Sequence, residues 1–156
     1  MAWTNSKVFA AYTLATMNRS AAYDIDTDAI KVALYNNTGT PDNTVALASS
    51  AYNTGQWVTA NEVSQAGQWA AAGVALASIT LTAASTTITY DAADTASGSA
   101  ATLANVFGCL VYDDTLATPT AKPGICYNYF GGSNSVTSGT FTVVWSASGI
   151  MTFSVA

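Results

Sequence analysis

The sequence predicts a mainly β protein, an antiparallel β-sandwich with a short N-terminal helix and a long irregular excursion over about residues 36–72. Short runs of alternating apolar and β-branched residues recur after residue 29, which is typical of half-buried strands. Clusters of Gly, Pro, Asn, Asp and Ser separate these runs and predict turns. No repeat or linker divides residues 1–156, so we expect a single β-sandwich domain.

The N-terminal helix is predicted over the segment from Lys7 to Met17. Val8, Tyr12 and Ala15 are spaced three or four residues apart, as on one face of a helix. Ser6 precedes the segment and is a candidate N-cap, because its hydroxyl can accept a hydrogen bond from a backbone amide of the first turn. The polar residues that follow Met17 end the helix.

The rest of the regular structure is predicted as strands. In the first strand, Ile30, Val32 and Leu34 fall on one face. The last two strands form the clearest strand pair, joined by a short turn that contains Gly149. In chain order the predicted strands are Ala29–Tyr35, Val74–Leu81, Thr86–Tyr90, Leu103–Tyr112, Ile125–Phe130, Thr140–Trp145 and Ile150–Val155.

The irregular excursion contains two tryptophans, Trp57 and Trp69, each directly after a glutamine. An irregular segment of this length in a compact domain is usually functional or ordered by a partner. Exposed aromatic side chains anchor interfaces and also stack on sugars. We therefore predict Trp57 and Trp69 as candidate partner contacts. The alternative is that both fold back as a lid over the open end of the sandwich.

Charge is scarce and unclustered. Charged residues make up 8% of the chain, against about a quarter of a typical globular protein. The net charge is −5, and the four bases, Lys7, Arg19, Lys31 and Lys122, are scattered. A basic footprint for nucleic acid or an anionic membrane is therefore missing. Neither a bilayer-spanning run nor a secretory signal pattern is present, so we expect no nucleic acid and no membrane as partners.

The residue types needed for catalysis are largely missing. The chain has no histidine, which removes Ser-His-Asp and Cys-His arrangements and most zinc or iron sites. The glycine-rich and nucleophile-elbow motifs of nucleotide-binding proteins and hydrolases are also missing. We therefore expect a protein that is not an enzyme and has no catalytic residue, cofactor or metal site.

One acidic segment could oppose that expectation. Residues 24–28 (DIDTD) alternate acids as a calcium loop does. The EF-hand pattern, however, requires Gly and Glu where this chain has Ala29 and Tyr35. A solvated turn before the first strand is the favoured interpretation.

Other carboxylates could serve a sugar hydrolase, which needs two of them across the scissile bond. The candidates are Asp113 with Asp114, and Asp91 with Asp94. Aspartate is also favoured at strand ends for turn geometry alone, so hydrolysis is the weakest alternative. Glu62, the only glutamate, has no partner nearby in the sequence.

The two cysteines, Cys109 and Cys126, lie on successive predicted strands. A hairpin register could bring their sulfur atoms together. Two buried free thiols are the favoured alternative, and the sequence leaves the pairing open.

Several segments resemble a family of small structural proteins of tailed bacteriophages. The resemblance covers nearly the whole chain, from Lys7-Val-Phe and the first strand onward. Its motifs are residues 55–63 (GQWVTANEV), 110–115 (LVYDDT), 122–132 (KPGICYNYFGG) and 139–145 (GTFTVVW), with Gly149-Ile150.

The resemblance implies a capsid decoration (cement) protein, made in the host cytoplasm and bound to the major capsid protein on the outer surface of the head. It implies no catalytic residues. A homo-oligomer is expected, with a trimer as the form that would suit three-fold positions. The alternative is a tail component, either a tail-tube or minor tail protein or a glycan-contacting receptor-binding module.

Overall fold

The computed structural model describes residues 3–155, and within them the fold is mainly β and antiparallel. The helices are α1 (Ala10–Met17) and α2 (Leu47–Ser50), with 3-10 turns at Gly55–Trp57 and Thr59–Asn61. The strands are β1 (Lys7–Val8), β2 (Ile30–Tyr35), β3 (Glu62–Val63), β4 (Val74–Ala75), β5 (Thr80–Ala84), β6 (Thr87–Asp91), β7 (Thr95–Ala96), β8 (Ala101–Asp113), β9 (Gly124–Gly139), β10 (Thr142–Val143) and β11 (Met151–Ser154).

The main sheet has the strand order β1-β9-β8-β2-β3, and β4 also pairs with β2. Its centre is the long hairpin of β8 and β9, in which Leu110 lies opposite Tyr127 and Val111 opposite Cys126. In β2, Ala33 and Leu34 point to opposite faces, yet both are fully buried. The main sheet is therefore covered on both faces.

Two different layers cover the main sheet. On the face of Tyr127, the excursion contributes Trp57, whose ring lies 5.8 Å from that of Tyr127. On the opposite face, the three-stranded sheet β11-β6-β5 contributes Tyr90, which lies near Cys126. Tyr90 and its cross-strand partner Met151 are both buried in the same core as the main sheet. Packing of this small sheet on the large one gives the β-sandwich character that the sequence predicts.

The N-terminal helix is shorter than predicted. It begins at Ala10, because Lys7–Val8 pairs as β1 with β9. Ser6 does not cap the helix; its Oγ accepts a hydrogen bond from the backbone N–H of Tyr129 at 2.9 Å. The prediction for Tyr12 is confirmed, since it is buried on the inner face of α1. Helical spacing alone does not distinguish these first residues from an edge strand.

The predicted pairing of the last two strands is wrong. β10 pairs with β7, which lies between the predicted strands Thr86–Tyr90 and Leu103–Tyr112, and β11 pairs with β6. A long-range side-chain contact explains the separation: Asp94 Oδ1 accepts a hydrogen bond from the backbone N–H of Trp145 at 2.9 Å. After the turn, Ile150 N–H donates to the carbonyl of Tyr90. Both contacts are long-range and take precedence over the local hairpin pattern.

The excursion over residues 36–72 has little regular structure, as predicted. It consists of α2, the two 3-10 turns, β3 and an isolated bridge between Gln65 and Trp69. It is nevertheless fixed to the sheet at defined points. The Tyr35 hydroxyl donates to the carbonyl of Trp57 at 2.6 Å, and Tyr52 N–H donates to the carbonyl of Lys122.

Candidate interaction surface

Trp57 and Trp69 are not surface residues. Their exposed fractions are 1% and 0%, so the prediction that they contact a partner is wrong. Trp57 packs edge-on against Trp3 and Tyr35, and Trp69 packs edge-on against Phe141. The alternative, a lid that folds back onto the sheets, is what the structure has. Burying an indole removes a large apolar area from water, which outweighs the cost of ordering the segment around it.

The aspartates at strand ends bind backbone amides. Asp91 Oδ1 accepts from the N–H of Ala92, and Asp94 accepts from Trp145. These bonds fix the C-terminal end of β6 and the segment that leads into β7. Asp91 and Asp94, one of the two pairs considered for sugar hydrolysis, thus both have a structural role.

Asp114 lies between two lysines, with Lys31 Nζ at 2.7 Å and Lys122 Nζ at 2.8 Å. Burial acts to raise the pKa of Asp114, but the hydrogen bonds from Lys122 and Lys31 outweigh it and hold the pKa below its usual value. The cluster joins β2, the end of β8 and the loop before β9.

Asp113 is fully buried, and its Oδ1 accepts hydrogen bonds from the N–H groups of Thr115 and Leu116 at 2.8 and 3.1 Å. Burial raises the pKa of Asp113 to about 6, and the neighbouring carboxyl of Asp28 adds to the rise. Within residues 3–155, no group of three or more Asp, Glu, Cys or His side chains is arranged to hold a metal ion.

Glu62 has a partner that the sequence did not indicate. The hydroxyl of Tyr52 donates to its Oε2 at 2.8 Å, and burial raises the pKa of Glu62. Tyr52 in turn stacks on Tyr112 with ring centroids 5.0 Å apart, and the Lys122 ammonium lies 5.7 Å from the Tyr52 ring. These contacts attach the excursion to the main sheet.

Cys109 and Cys126 are buried free thiols. Cys109 lies opposite Asn128, and Cys126 lies opposite Val111, so the two cysteines are diagonal rather than direct cross-strand neighbours. Diagonal Cα atoms in such a pair are about 7–8 Å apart, beyond the usual span of a disulfide.

One exposed surface of the protein is apolar. Two adjoining openings of about 220 and 270 Å³ lie between α1 and the three-stranded sheet, and both are lined by Tyr12, Thr16 and Phe153. Met17 borders the first opening, and Leu81 and Ile88 border the second. We call this surface the apolar groove and define it by Tyr12, Met17, Leu81, Ile88 and Phe153.

The apolar groove arises because the three-stranded sheet β11-β6-β5 extends beyond the edge of the main sheet on which it packs. Tyr90 and Met151 lie on the inner face of that sheet and are buried. Two residues further along the same face, Ile88 lies opposite Phe153, where the main sheet no longer covers them. Ile88 is 38% exposed and Met17, at the end of α1, is 80% exposed. Contiguous exposed apolar side chains usually mark contact sites.

A separate opening of about 420 Å³ lies beside the outer part of β9. It is lined by Tyr129, Phe130 and Asn134 on β9 and by Phe141 and Val144 near β10. The Phe130 and Phe141 rings are 6.4 Å apart. This mixture of aromatic rings and an amide differs from the groove, which is mainly apolar and has Thr16, Asp24 and Asp26 among its lining residues.

No helix within the described range 3–155 has the length and apolar character needed to cross a membrane. Comparisons with protein-family models, with curated proteins and with solved structures found no match to this chain.

Proposed function

We propose that this chain is a bacteriophage capsid decoration protein, which binds the major capsid protein on the outer surface of the assembled head and stabilises the shell. The observation that carries the proposal is the apolar groove on a body with few charges. The resemblance of segments 55–63, 110–115, 122–132 and 139–145 to small virion proteins of tailed phages supports the same role.

The chemistry of the surface suits dense, repeated binding. With a charged fraction of 8%, neighbouring copies on a shell repel one another weakly. An exposed Met17 and Ile88 provide apolar area that a partner can bury, at roughly 25 cal/mol per Å². A stable interface needs about 1,000 Å² or more, so the groove would form its centre and the polar residues beside it, such as Thr13, Thr16, Asp24 and Asp26, part of its rim.

The proposed stabilisation follows from mass action. A protein that binds the assembled shell more tightly than the dissociated capsid subunits shifts the equilibrium toward the shell. The buried aromatic core around Trp57 supports this role, because a rigid body loses little conformational entropy on docking. In this proposal the chain is made in the host cytoplasm, acts on the virion surface and has no catalytic role.

The test is binding to shells that lack the protein. We expect saturable, symmetric binding and a higher temperature of shell disruption. Met17→Lys and Ile88→Lys place charges in the groove and should weaken binding at least tenfold. Val144→Lys is the matched control, because Val144 is also apolar and is 71% exposed but lies outside the groove. Shells that gain neither density nor heat stability with the wild-type protein would rule out the decoration role.

The second candidate is a tail component, in particular a glycan-contacting receptor-binding module. The opening lined by Phe130, Phe141 and Asn134 favours it, because aromatic faces and amides are the groups that contact sugars. Immunogold labelling confined to the tail, or binding to host glycans that Val144→Lys abolishes, would support this candidate against decoration.

A further inference from the structure

Strand β5 is an unprotected edge. It is the terminal strand of the sheet β11-β6-β5 and, among residues 3–155, pairs only with β6. All five of its residues, Thr80 to Ala84, are exposed. Edge strands usually carry a charge, a proline or a bulge that blocks pairing with another chain. The sequence TLTAA has none of these.

The hydrogen-bond pattern shows which backbone groups of β5 point outward. On the far side of β6, the N–H of Val155 donates to the carbonyl of Thr86 at 2.8 Å. Alternate residues of an antiparallel strand bond to opposite neighbours, so even-numbered residues of β6 bond to β11 and odd-numbered ones to β5. Thr82 lies opposite Thr89 and therefore bonds inward. The N–H and C=O groups of Leu81 and Ala83 consequently point outward, away from the sheet.

We propose that a second copy of this chain pairs antiparallel with β5 about a two-fold axis. In the proposed register, Leu81 lies opposite Ala83 of the other copy, and Ala83 lies opposite its Leu81. These two hydrogen-bonded pairs use every outward N–H and C=O of both residues on both copies. Thr82 lies at the axis, opposite Thr82 of the other copy, as a pair without hydrogen bonds.

A second copy fits this edge because the segment is its own complement. A large side chain, Leu81, meets a small one, Ala83, and no like charges face each other. Leu81 and Ala83 also lie on the same face as Ile88 and Phe153. Pairing would therefore join the two three-stranded sheets into one sheet of six strands with a continuous apolar face. A single strand pair is a small interface, so we expect a dimer that forms with rising concentration.

The first experiment is cross-linking of purified protein under mild oxidation. In Thr82→Cys the two Cα atoms would be about 4.5 Å apart, within reach of a disulfide. Thr80→Cys is the matched control on the same face, because the two Cα atoms would be about 14 Å apart, four residues along the strands at ~3.4 Å per residue. The native cysteines are buried and do not interfere. We expect a covalent dimer with Thr82→Cys only. Equal cross-linking of both variants, or of Thr80→Cys alone, would overturn the register.

The second experiment is sedimentation of charge variants. Thr82→Lys and Thr82→Glu place like charges at the axis, so each alone should raise the dimer dissociation constant at least tenfold. Their mixture should form a heterodimer at or above the wild-type level. A wild-type protein that stays monomeric at every concentration contradicts the proposal. This holds even if Thr82→Lys weakens shell binding, because that result would indicate that a strand of the capsid protein, and not a second copy, pairs with β5. Both experiments use the isolated protein, so their outcome does not depend on the decoration role.

Discussion

The carboxyl group of Asp113 lies beside that of Asp28, at the point where the end of β8 meets the start of β2. Asp113 Oδ2 is buried and has no hydrogen-bond donor among residues 3–155. Two neighbouring carboxylates repel each other unless one of them holds a proton. The pair therefore links the stability of the main sheet to pH.

Asp113→Asn should stabilise the protein at neutral pH. The folded-state pKa of Asp113, about 6, is above its unfolded value of 3.8. The stability that protonated Asp113 contributes to the folded state is fully present below pH 3.8 and is lost as pH rises through about 6. The Asn amide would donate to Asp28 at any pH, so we expect a gain of about 1–3 kcal/mol in the free energy of unfolding at pH 7.5 and none at pH 3.5. Urea unfolding across this range measures it, and parallel curves for variant and wild type would contradict it.

Trp57→Ala should cost about 3–5 kcal/mol of stability, because a buried indole leaves a large cavity beside Tyr35 and Tyr127. Trp57→Phe should cost less, since Trp57 Nε1 has no hydrogen-bond partner in the described range 3–155 that the change would remove. The control is Met17→Ala on the exposed end of α1, with a change within about 0.5 kcal/mol. Denaturant midpoints at constant slope provide the comparison, and equal losses for Trp57→Ala and Met17→Ala would show that the ring cluster contributes little.

Asp114→Asn should weaken the junction of β2 and the loop before β9 by roughly 1 kcal/mol, since the lysine partners are partly exposed and screened. A double-mutant cycle with Lys31→Met should give a larger coupling energy than one with Lys122→Met, because Lys31 is the less exposed of the two lysines. Both couplings should shrink in 1 M salt. Couplings that are equal and independent of salt would indicate a packing effect instead.

Cys109 and Cys126 should be inert in the folded protein. Burial raises the pKa of both thiols, that of Cys126 to about 12, so the reactive thiolate is scarce at pH 8. A thiol reagent should modify neither cysteine in native protein and both in denaturant. A surface variant such as Thr59→Cys is the positive control. Fast modification of native protein would show that the β8–β9 hairpin opens readily.

The most buried strands could be predicted closely from the sequence. β2 and the inner part of β8 are covered on both faces, so their sequences are densely apolar. The length of each apolar run therefore predicts where the strand begins and ends. Strand partners could not be predicted in the same way. The segment around Thr142 carries a hairpin pattern, but its partner is fixed by a distant contact between Asp94 and Trp145.

Surface exposure was the least predictable property. Trp57 sits in an irregular segment, and no local pattern distinguishes an exposed indole from one that folds back onto a sheet. The exposure of the apolar groove could not be predicted either, because its residues have the pattern of core residues. Ile88 and Phe153 alternate with threonine and serine, which predicts that they face a core. Whether that core extends beneath them depends on the relative sizes of two sheets, which is a tertiary property.

The pairing of β1 with β9 has a consequence for biosynthesis. Lys7 lies opposite Tyr127, so the edge of the main sheet closes only after most of the chain has left the ribosome. Contacts between residues so far apart in sequence form slowly, because closing the intervening loop costs entropy before any contact compensates. Until then β2 and β8, which are the most apolar strands, are unprotected. We therefore expect the nascent chain to need chaperone protection. We also expect that faster translation or a lower expression temperature changes the soluble yield of the protein more than its final stability.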